Sequence, residues 1–351
     1  MIRDNLHFNF RTIDGYNKPF NFVISEREAG KSTAMWLDKV YIPFQKSGAT
    51  SLIIRRRVVD ITDTFITDIE NIINKFIQTP INLSYNKSSI KDGIVNVYVN
   101  ESLMCRIVAL SIPVSRLKSL ILLNIQAILF DEFICALHLG ERYLKGEAFK
   151  FKELYNTFQR ENPKIKTYFM GNPYSLFNPY FLDFGIDTKK LKQGVILSGN
   201  NYVVQCYQIC EDLKKMILGR NALYQFDDAY TKYAFDGSNI EDQAIKLGTK
   251  PNNFQLKLIL KIENKYLTLW QNNYYEDMCD KFHVQVENKN IYSKNRNTYV
   301  LDFNEMIERT MLLSKEDHFK FLDFKSAVER RRVTFSTIEA YYLAMELYAN
   351  I

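Results

Sequence analysis

The sequence predicts an α/β protein: a domain with a largely parallel sheet, followed by a second, smaller α+β domain. Three observations lead there. Strand-like and helix-like segments alternate over the first half of the chain. One strand-like run, Ile125-Gln126-Ala127-Ile128-Leu129-Phe130, is nearly continuous in apolar residues, as a strand covered on both faces must be. After a polar stretch, strand patterns return from Phe254 onward.

The elements follow in order. Phe20 to Ile24 is a β-rich run that ends at the loop SEREAGKST, residues 25–33. Ala34-Met35-Trp36-Leu37 and Val40-Tyr41-Ile42 read as helix, which Pro43 should end or bend. Ser51 to Arg55 is a second strand, and from Ile61 to Ile77 apolar residues recur at helical spacing. Strands follow over 94–99 and 103–110, then the apolar run that ends in Asp131-Glu132. Phe149 to Phe158 reads as helix, and Ile165 to Met170 as a strand running into Gly171-Asn172-Pro173. Glu211 to Lys250 is polar and helix-rich, broken at Gly219, Gly237 and Gly248. Strands then fall over 256–262, 266–270, 282–286 and 298–301, with helices over 319–328 and 336–348. Ser336 and Glu339 have the spacing of a capping box for the last helix. We therefore expect domains over residues 1–205 and 251–351, with a small helical connector over 206–250.

Bulk properties exclude some classes. With 46% hydrophobic and 25% charged residues the chain is not a disordered one. A net charge of +6 permits a polyanionic partner without requiring it. The longest apolar stretch, Ser119 to Phe130, is shorter than the roughly 20 residues a bilayer needs, so no membrane partner is expected. Met1 to Asn9 is polar and charged, which does not read as a secretory leader. Together with five cysteines, an odd number, this points to a reducing, cytoplasmic setting. Cys206 and Cys210 lack a second Cys/His pair at zinc spacing, so the cysteines are expected as buried thiols.

The chemistry begins at SEREAGKST. The phosphate-binding pattern G-x-x-x-x-G-K-[ST] needs a strand, a turn of bare backbone and a helix, whose N–H groups cradle phosphate oxygens. Gly30, Lys31 and Ser32 fit the glycine, the phosphate-neutralising lysine and the Mg²⁺-binding hydroxyl, and Thr33 would pack nearby or touch an α-phosphate. Ser25 stands where the first glycine is usual, and Glu26 and Glu28 sit inside a loop meant for anions. The expected nucleotide-binding set is Ser25, Arg27, Glu28, Ala29, Gly30, Lys31, Ser32 and Thr33, with the glutamate side chains turned from the phosphates. Asp131 at its strand end can share a Mg²⁺ ion with Ser32, and Glu132 can polarise a water for attack on a γ-phosphate. Asn172 reads either as a γ-phosphate sensor or as an ordinary turn asparagine before Pro173. Arg160, in TFQREN, reads either as an arginine that reaches a neighbouring subunit's phosphates or as a residue that complements its own helix end. Arg55-Arg56-Arg57, Arg116 and Lys118 form basic clusters beside the site.

Several of these pieces match one family. NFVISEREAGKSTAM, SLIIRRR, AILFDEF, FQREN and GNPYSLFNPYF resemble the genome-packaging (encapsidation) ATPases of φ29-type small tailed bacteriophages, as does the tail from Met311 to Leu347. The resemblance implies an ASCE-class P-loop ATPase domain of RecA/FtsK-like fold, with Walker A and Walker B motifs, that uses ATP and Mg²⁺. It implies a homo-oligomeric ring, a pentamer, at the portal vertex of a procapsid in the host cytoplasm. That ring drives double-stranded DNA inside, in some systems with a scaffold RNA. By match, Lys31 and Ser32 are the P-loop residues and Arg27 an additional P-loop arginine. Asp131 is the Walker B carboxylate, Glu132 the catalytic one and Asn172 the sensor. Arg160 is the trans-acting arginine finger, and Lys118 a second basic residue acting across the subunit boundary.

The resemblance also implies a C-terminal domain similar to the RNase H-like nucleases of terminases, in vestigial form. Such nucleases need carboxylates converging on two metals. The run Lys257 to Ile262 carries no aspartate, and Glu263 is a weak stand-in, so a non-cleaving nucleic-acid-binding domain is expected. Lys325, Arg330, Arg331 and Arg332 are candidate phosphate contacts or a solvated charge run. Arg142 and Lys145, after Asp131-Glu132, are candidates for the DNA pore. The alternatives are a terminase-like motor with a live nuclease built on Glu263, and a non-enzymatic nucleic-acid-binding protein with a degenerate loop.

Overall fold

The computed structural model describes residues 6–120, 124–136, 141–176, 178–222, 246–262, 264–273, 280–289, 298–300, 306–307, 310–313, 321–329 and 332–350. The chain divides into two compact units, Met1–Ile240 and Glu241–Ile351.

The strands of the first unit are β1 (Phe20–Ser25), β2 (Thr50–Arg55), β3 (Leu83–Tyr85), β4 (Ile94–Val99), β5 (Ser102–Ala109), β6 (Ile125–Asp131), β7 (Lys166–Gly171), β8 (Ile196–Ser198) and β9 (Tyr202–Tyr207). They form one sheet in the order β3-β4-β5-β2-β6-β7-β1-β9-β8. All neighbours from β5 to β9 are parallel, and the antiparallel pairs lie at the two edges. Helices α1 (Arg11–Gly15), α2 (Lys31–Ala34), α3 (Ile42–Ser47), α4 (Asp63–Asn74), α5 (Val114–Lys118), α6 (Glu147–Glu161), α7 (Pro179–Asp183) and α8 (Glu211–Arg220) belong to the same unit. Leu52, Ile53, Ile54, Ile128, Leu129 and Phe130 are wholly buried, which explains the unbroken apolar runs of β2 and β6.

Two expectations change. Pro43 does not end its helix: α2 continues through a π-helical segment, Met35–Tyr41, into α3, with Pro43 in the first turn of α3. Proline offers no N–H to the carbonyl one turn back, that of Lys39. The Ser51 hydroxyl donates to that carbonyl instead, at 2.8 Å. The helix predicted to reach Ile77 ends at Asn74, and its start is fixed by Thr62, whose Oγ1 accepts from the Phe65 N–H at 3.0 Å. Cys105, Cys135 and Cys206 are buried as expected, but Cys210 is exposed at the start of α8, and Cys279 lies outside the described residues.

A buried ion pair braces the sheet beside the end of β6. Arg56 Nε donates to both carboxylate oxygens of Glu147, at 3.1 and 3.0 Å, and Arg56 Nη2 donates to the backbone carbonyls of Glu132 and Phe133. Glu147 also accepts from Tyr180 Oη at 2.9 Å and from the Leu144 N–H at 2.7 Å. Burial disfavours the Arg56 charge, yet Glu147 together with Cys135, Tyr143 and Tyr180 outweighs that and keeps the guanidinium protonated.

The second unit holds β10 (Lys246–Leu247), β11 (Phe254–Ile262), β12 (Lys265–Asn272), β13 (Phe282–Glu287), β14 (Thr298–Val300), β15 (Thr310–Leu312) and β16 (Val333–Phe335), in the order β10-β16-β13-β12-β11-β14-β15. The central three strands are antiparallel and the flanking pairs parallel. One face buries Leu260, Leu267, Phe282 and Val284 against Phe324 of α9 (Leu322–Glu329) and Ala340, Ala344 and Leu347 of α10 (Ile338–Asn350). The cap of α10 is Thr337, whose Oγ1 accepts from the Ala340 N–H at 3.1 Å, rather than Ser336. Glu339 pairs with Lys265 instead of closing a capping box. Among the described residues no helix is long and apolar enough to cross a membrane.

The Glu147 side chain is fully buried against Arg56. Glu147→Ala leaves that guanidinium buried without its counter-charge and should lower the unfolding free energy by about 3–5 kcal/mol. Chemical denaturation monitored on the first unit reads this; a loss below about 1 kcal/mol would mean the pair contributes little.

Candidate active site

The sheet order builds the site. β7 lies between β1 and β6, all three are parallel, and their C-terminal ends share one edge. The loop after β1, the carboxylates after β6 and Asn172 after β7 thus line one open cleft of about 350 Å³, together with Gly171 and residues 27–33. A crevice beyond the carboxyl ends of parallel strands is where α/β folds gather ligands. Gly171 allows the close approach there, since a Cβ would sit 3.1 Å from Ile134 and Phe133.

Lys31 is the centre of the cleft. Its buried Nζ donates to the Ser25 carbonyl (3.0 Å), Ser25 Oγ (2.7 Å), the Glu26 carbonyl (3.0 Å) and Asn172 Oδ1 (3.1 Å). Burial lowers its pKa to about 8, against the opposing pull of Asp131 and Glu26. Next to it, Ser32 Oγ donates to Asp131 Oδ2 at 3.0 Å. Burial and the neighbouring Glu132 charge raise the Asp131 pKa. A hydroxyl and a carboxylate side by side are hard oxygen donors of the kind Mg²⁺ takes, with phosphate and water filling its other positions. The set fits that ion.

The departures from the usual loop pattern have local explanations. Ser25 is the last residue of β1, in register with Tyr207, so its backbone is extended and needs no glycine. The left-handed positions fall later, at Glu28 (φ 60°) and Gly30 (φ 85°). At Gly30 a Cβ would also lie 3.1 Å from the His7 side chain, so that glycine is required twice over. Glu26 is buried on the side of the loop away from the cleft, where its carboxylate accepts from Gln193. Glu28, expected to turn from the phosphates like Glu26, instead is exposed and is among the residues that line the cleft. Arg27 Nη2 donates to Tyr174 Oη at 2.6 Å, which ties the loop to the segment after Asn172.

Glu132 also has a left-handed backbone, φ 60°, which turns it out of the line of β6. Its exposed carboxylate meets Arg55 Nη2 at 3.2 Å, while Arg56 holds its carbonyl from the other side. Such backbone costs a non-glycine residue about 1–2 kcal/mol and concentrates at functional sites. The sequence placed Arg56 only in a basic cluster beside the site and did not single out Glu147; their pairing shows in the fold alone.

Other sequence candidates lie elsewhere. Arg160 is exposed at the end of α6, and the next turn is pinned by Asn162 Nδ2 donating to the Ile125 carbonyl at 2.8 Å. Ile125 opens β6, so Arg160 is near the sheet edge opposite the cleft, roughly 20 Å of strand away. Lys118, at the end of α5, is paired with Glu153 of α6 at 2.6 Å and does not line the cleft. Arg142 and Lys145 fall in the chain segment before α6 and do not line the cleft, and the Arg142 carbonyl accepts from Arg57 at 3.1 Å. Lys325 is part of α9, Arg332 precedes β16, and Arg330, Arg331 and Glu263 lie outside the described residues.

A family model described as Podovirus DNA encapsidation protein (Gp16) matches residues 2–351. The DNA packaging proteins of Bacillus phages PZA and phi29 are each 28% identical over 184 residues, 52% of this chain and 51% of theirs. The chain thus spans about half the length of the curated relatives it matches. Among solved structures, the Phi-28 gp11 DNA packaging motor superposes with a TM-score of 0.64 at 15% identity, covering 99% of this chain and 98% of that one. The bacteriophage Phi-29 genome packaging motor assembly gives 0.58 at 20% identity, covering 99% of each chain. At these identities the likeness concerns the fold.

The Ser25 hydroxyl competes with any phosphate for Lys31. Ser25→Ala should therefore bind ATP at least as tightly as the parent, by up to about tenfold, the worth of one hydrogen bond to a charge. Calorimetric titration checks this, and a tenfold weakening would instead place the hydroxyl on the nucleotide.

Proposed function

The chain belongs to the podovirus DNA encapsidation protein (Gp16) family, and from that premise we propose that it is an ATPase whose turnover drives double-stranded viral DNA into a procapsid. The observation that carries this reading is the convergence of Lys31, Ser32, Asp131, Glu132 and Asn172 on one cleft.

The phosphate chain of ATP lies along the N–H groups of residues 30–33, where the loop enters its helix. Lys31 exchanges its bonds to Ser25, Glu26 and Asn172 for β- and γ-phosphate oxygens. Ser32 and Asp131 hold Mg²⁺, which neutralises phosphate charge when bound. Glu132, held in place by Arg55 and by Arg56 at its carbonyl, orients a water and takes its proton as the water oxygen attacks the γ-phosphorus. The bond from that phosphorus to the bridging oxygen of ADP breaks. Asn172, released by Lys31, faces the transferred phosphoryl group.

Arg160 cannot serve its own cleft from the opposite sheet edge, so we assign it to a neighbouring copy, with Lys118 beside the same boundary. Head-to-tail contacts of this kind make a closed ring when the rotation closes, and a five-membered ring at the portal vertex, in the host cytoplasm, is the form the family resemblance implies. A scaffold RNA is a further partner under that resemblance. The C-terminal domain expected over residues 251–351 binds nucleic acid without cutting it, with Lys325 and Arg330–Arg332 as phosphate contacts. Lysines stand on β11, at Lys257 and Lys261, and a two-metal nuclease needs carboxylates on its central strands. Arg142 and Lys145 are the candidates to meet DNA in the pore.

ATP turnover should rise on adding double-stranded DNA. Lys31→Ala should abolish it, and Glu132→Gln should retain ATP binding while losing about 10²–10⁴ in rate; normal turnover by either variant would overturn the site. Arg160→Ala alone should be inactive, and mixing it with Glu132→Gln should restore part of the activity through hybrid interfaces. If no mixing ratio rescues turnover, the finger does not act in trans. Plasmid incubated with the protein and Mn²⁺ or Mg²⁺ should stay intact, and cutting that disappears in Glu263→Ala would reverse the assignment of the second unit.

A further inference from the structure

Glu26 has two sides. Toward the cleft, its carbonyl accepts from Lys31 Nζ at 3.0 Å. Away from the cleft, its side chain enters a separate cavity of about 40 Å³, with Pro173, Leu176, Gln193 and Tyr207 in its wall. There Gln193 Nε2 donates to Oε1, while Oε2 is buried with no hydrogen-bond partner among the described residues. Burial raises the carboxyl pKa, and the Gln193 amide and the backbone N–H groups of Glu26 and Ile209 work against that. An exposed loop position would cost nothing to fill with a glutamate; this one is only 1% exposed.

What the side chain reaches is the route out of the sheet. Gln193 precedes β8, and Ile209 joins β9 to α8. A second limb of the same loop makes an independent contact: Ala29 is buried with Ile209, Leu213 and Ile217, the apolar face of α8. The loop is therefore bonded to Gln193 through Glu26 and packed through Ala29 on Ile209 and α8, the last described helix before the chain passes into the second unit.

We propose that Glu26, through Gln193 and Ile209, couples occupation of the phosphate cleft to α8. The proposal rests on the reading of the cleft as an ATP site. When Lys31 turns to phosphate, the Glu26 carbonyl loses its charged donor and the backbone of residue 26 is free to shift. Its carboxyl, locked in the rear cavity, passes that shift to Gln193 and Ile209 and so to α8. Glu26 is thus a positioning residue, one bond from Lys31 and with no contact to the nucleotide.

The test is amide hydrogen exchange over residues 209–220 of the full-length protein, with and without ATPγS and Mg²⁺, alongside a separate titration of ATPγS binding. In the parent, binding should change exchange there by about fivefold or more. Gln193→Ala lies outside the cleft and should bind within about twofold of the parent while losing that change. A full exchange response in Gln193→Ala, or none in a parent that binds, overturns the proposal. Should Gln193→Ala not fold, Glu26→Gln, which keeps an acceptor for Gln193, should retain the response and Glu26→Ala should lose it; equal responses in the two overturn it. A parent that binds no ATPγS sinks the ATPase reading itself, and the titration shows this apart from the exchange data.

Discussion

The site depends on keeping one buried ammonium satisfied. Lys31 is 8% exposed and has four acceptors, two from Ser25, one from Glu26 and one from Asn172. A charge so placed is tolerable only when surrounded by partners. Those partners come from the end of β1 and the end of β7, so β7 must lie directly beside β1. Asp131 and Glu132 must then lie on β7's other side for their charge to reach the same point. The parallel order β6-β7-β1 meets both requirements. The loop's unusual composition follows from the same constraint. A serine at position 25 adds an acceptor for the lysine, and an extended strand end accepts it without strain.

A second constraint acts on Glu132. Its left-handed backbone is unfavourable for a side-chain-bearing residue, and something must hold it there. Arg56 does so by binding the carbonyls of Glu132 and Phe133 together, with Glu147 and Tyr180 behind it. The three consecutive arginines thus divide the work. Arg55 meets the Glu132 carboxylate, Arg56 holds the backbone beneath it, and Arg57 reaches the Arg142 carbonyl.

Much of this was legible in the residues. The apolar run of β6 announced a strand covered on both faces, and the residues that follow strands, Lys31, Ser32, Asp131 and Asn172, needed only the knowledge that parallel strand ends converge. What was hidden depends on partners far along the chain. Pro43 stays inside a helix because Ser51 supplies the missing donor. Thr337, not Ser336, caps α10, and the Ser336 N–H instead joins the sheet through the Val284 carbonyl. Arg56 reads only as one of a basic cluster beside the site until Glu147, ninety-one positions later, is seen against it. The direction of Glu26 is set by Gln193, 167 positions away. Local spacing carries no trace of such pairs.

The placement of Arg160 follows from the connection between β6 and β7. Two adjacent parallel strands need a crossover that returns the chain to the starting edge. Helix α6 is that crossover, 15 residues or roughly 22 Å of rise. Its first residue, Glu147, lies beside the cleft and holds Arg56 under Glu132; its last turn carries Arg160 to the far edge. Between them Glu153 binds Lys118. One rigid helix therefore has its N-terminal end tied to Glu132 of its own chain, through Arg56, and its C-terminal end free of it. In a ring of the kind proposed, the free end is the one that meets the next copy. A displacement of Glu132 would then travel along α6 as a rigid body, because the helix has no glycine or proline between its ends to absorb it. The residues that complete a neighbour's site and those that hold the chain's own site would be parts of a single element, which gives a physical reason for successive sites to act in order rather than independently.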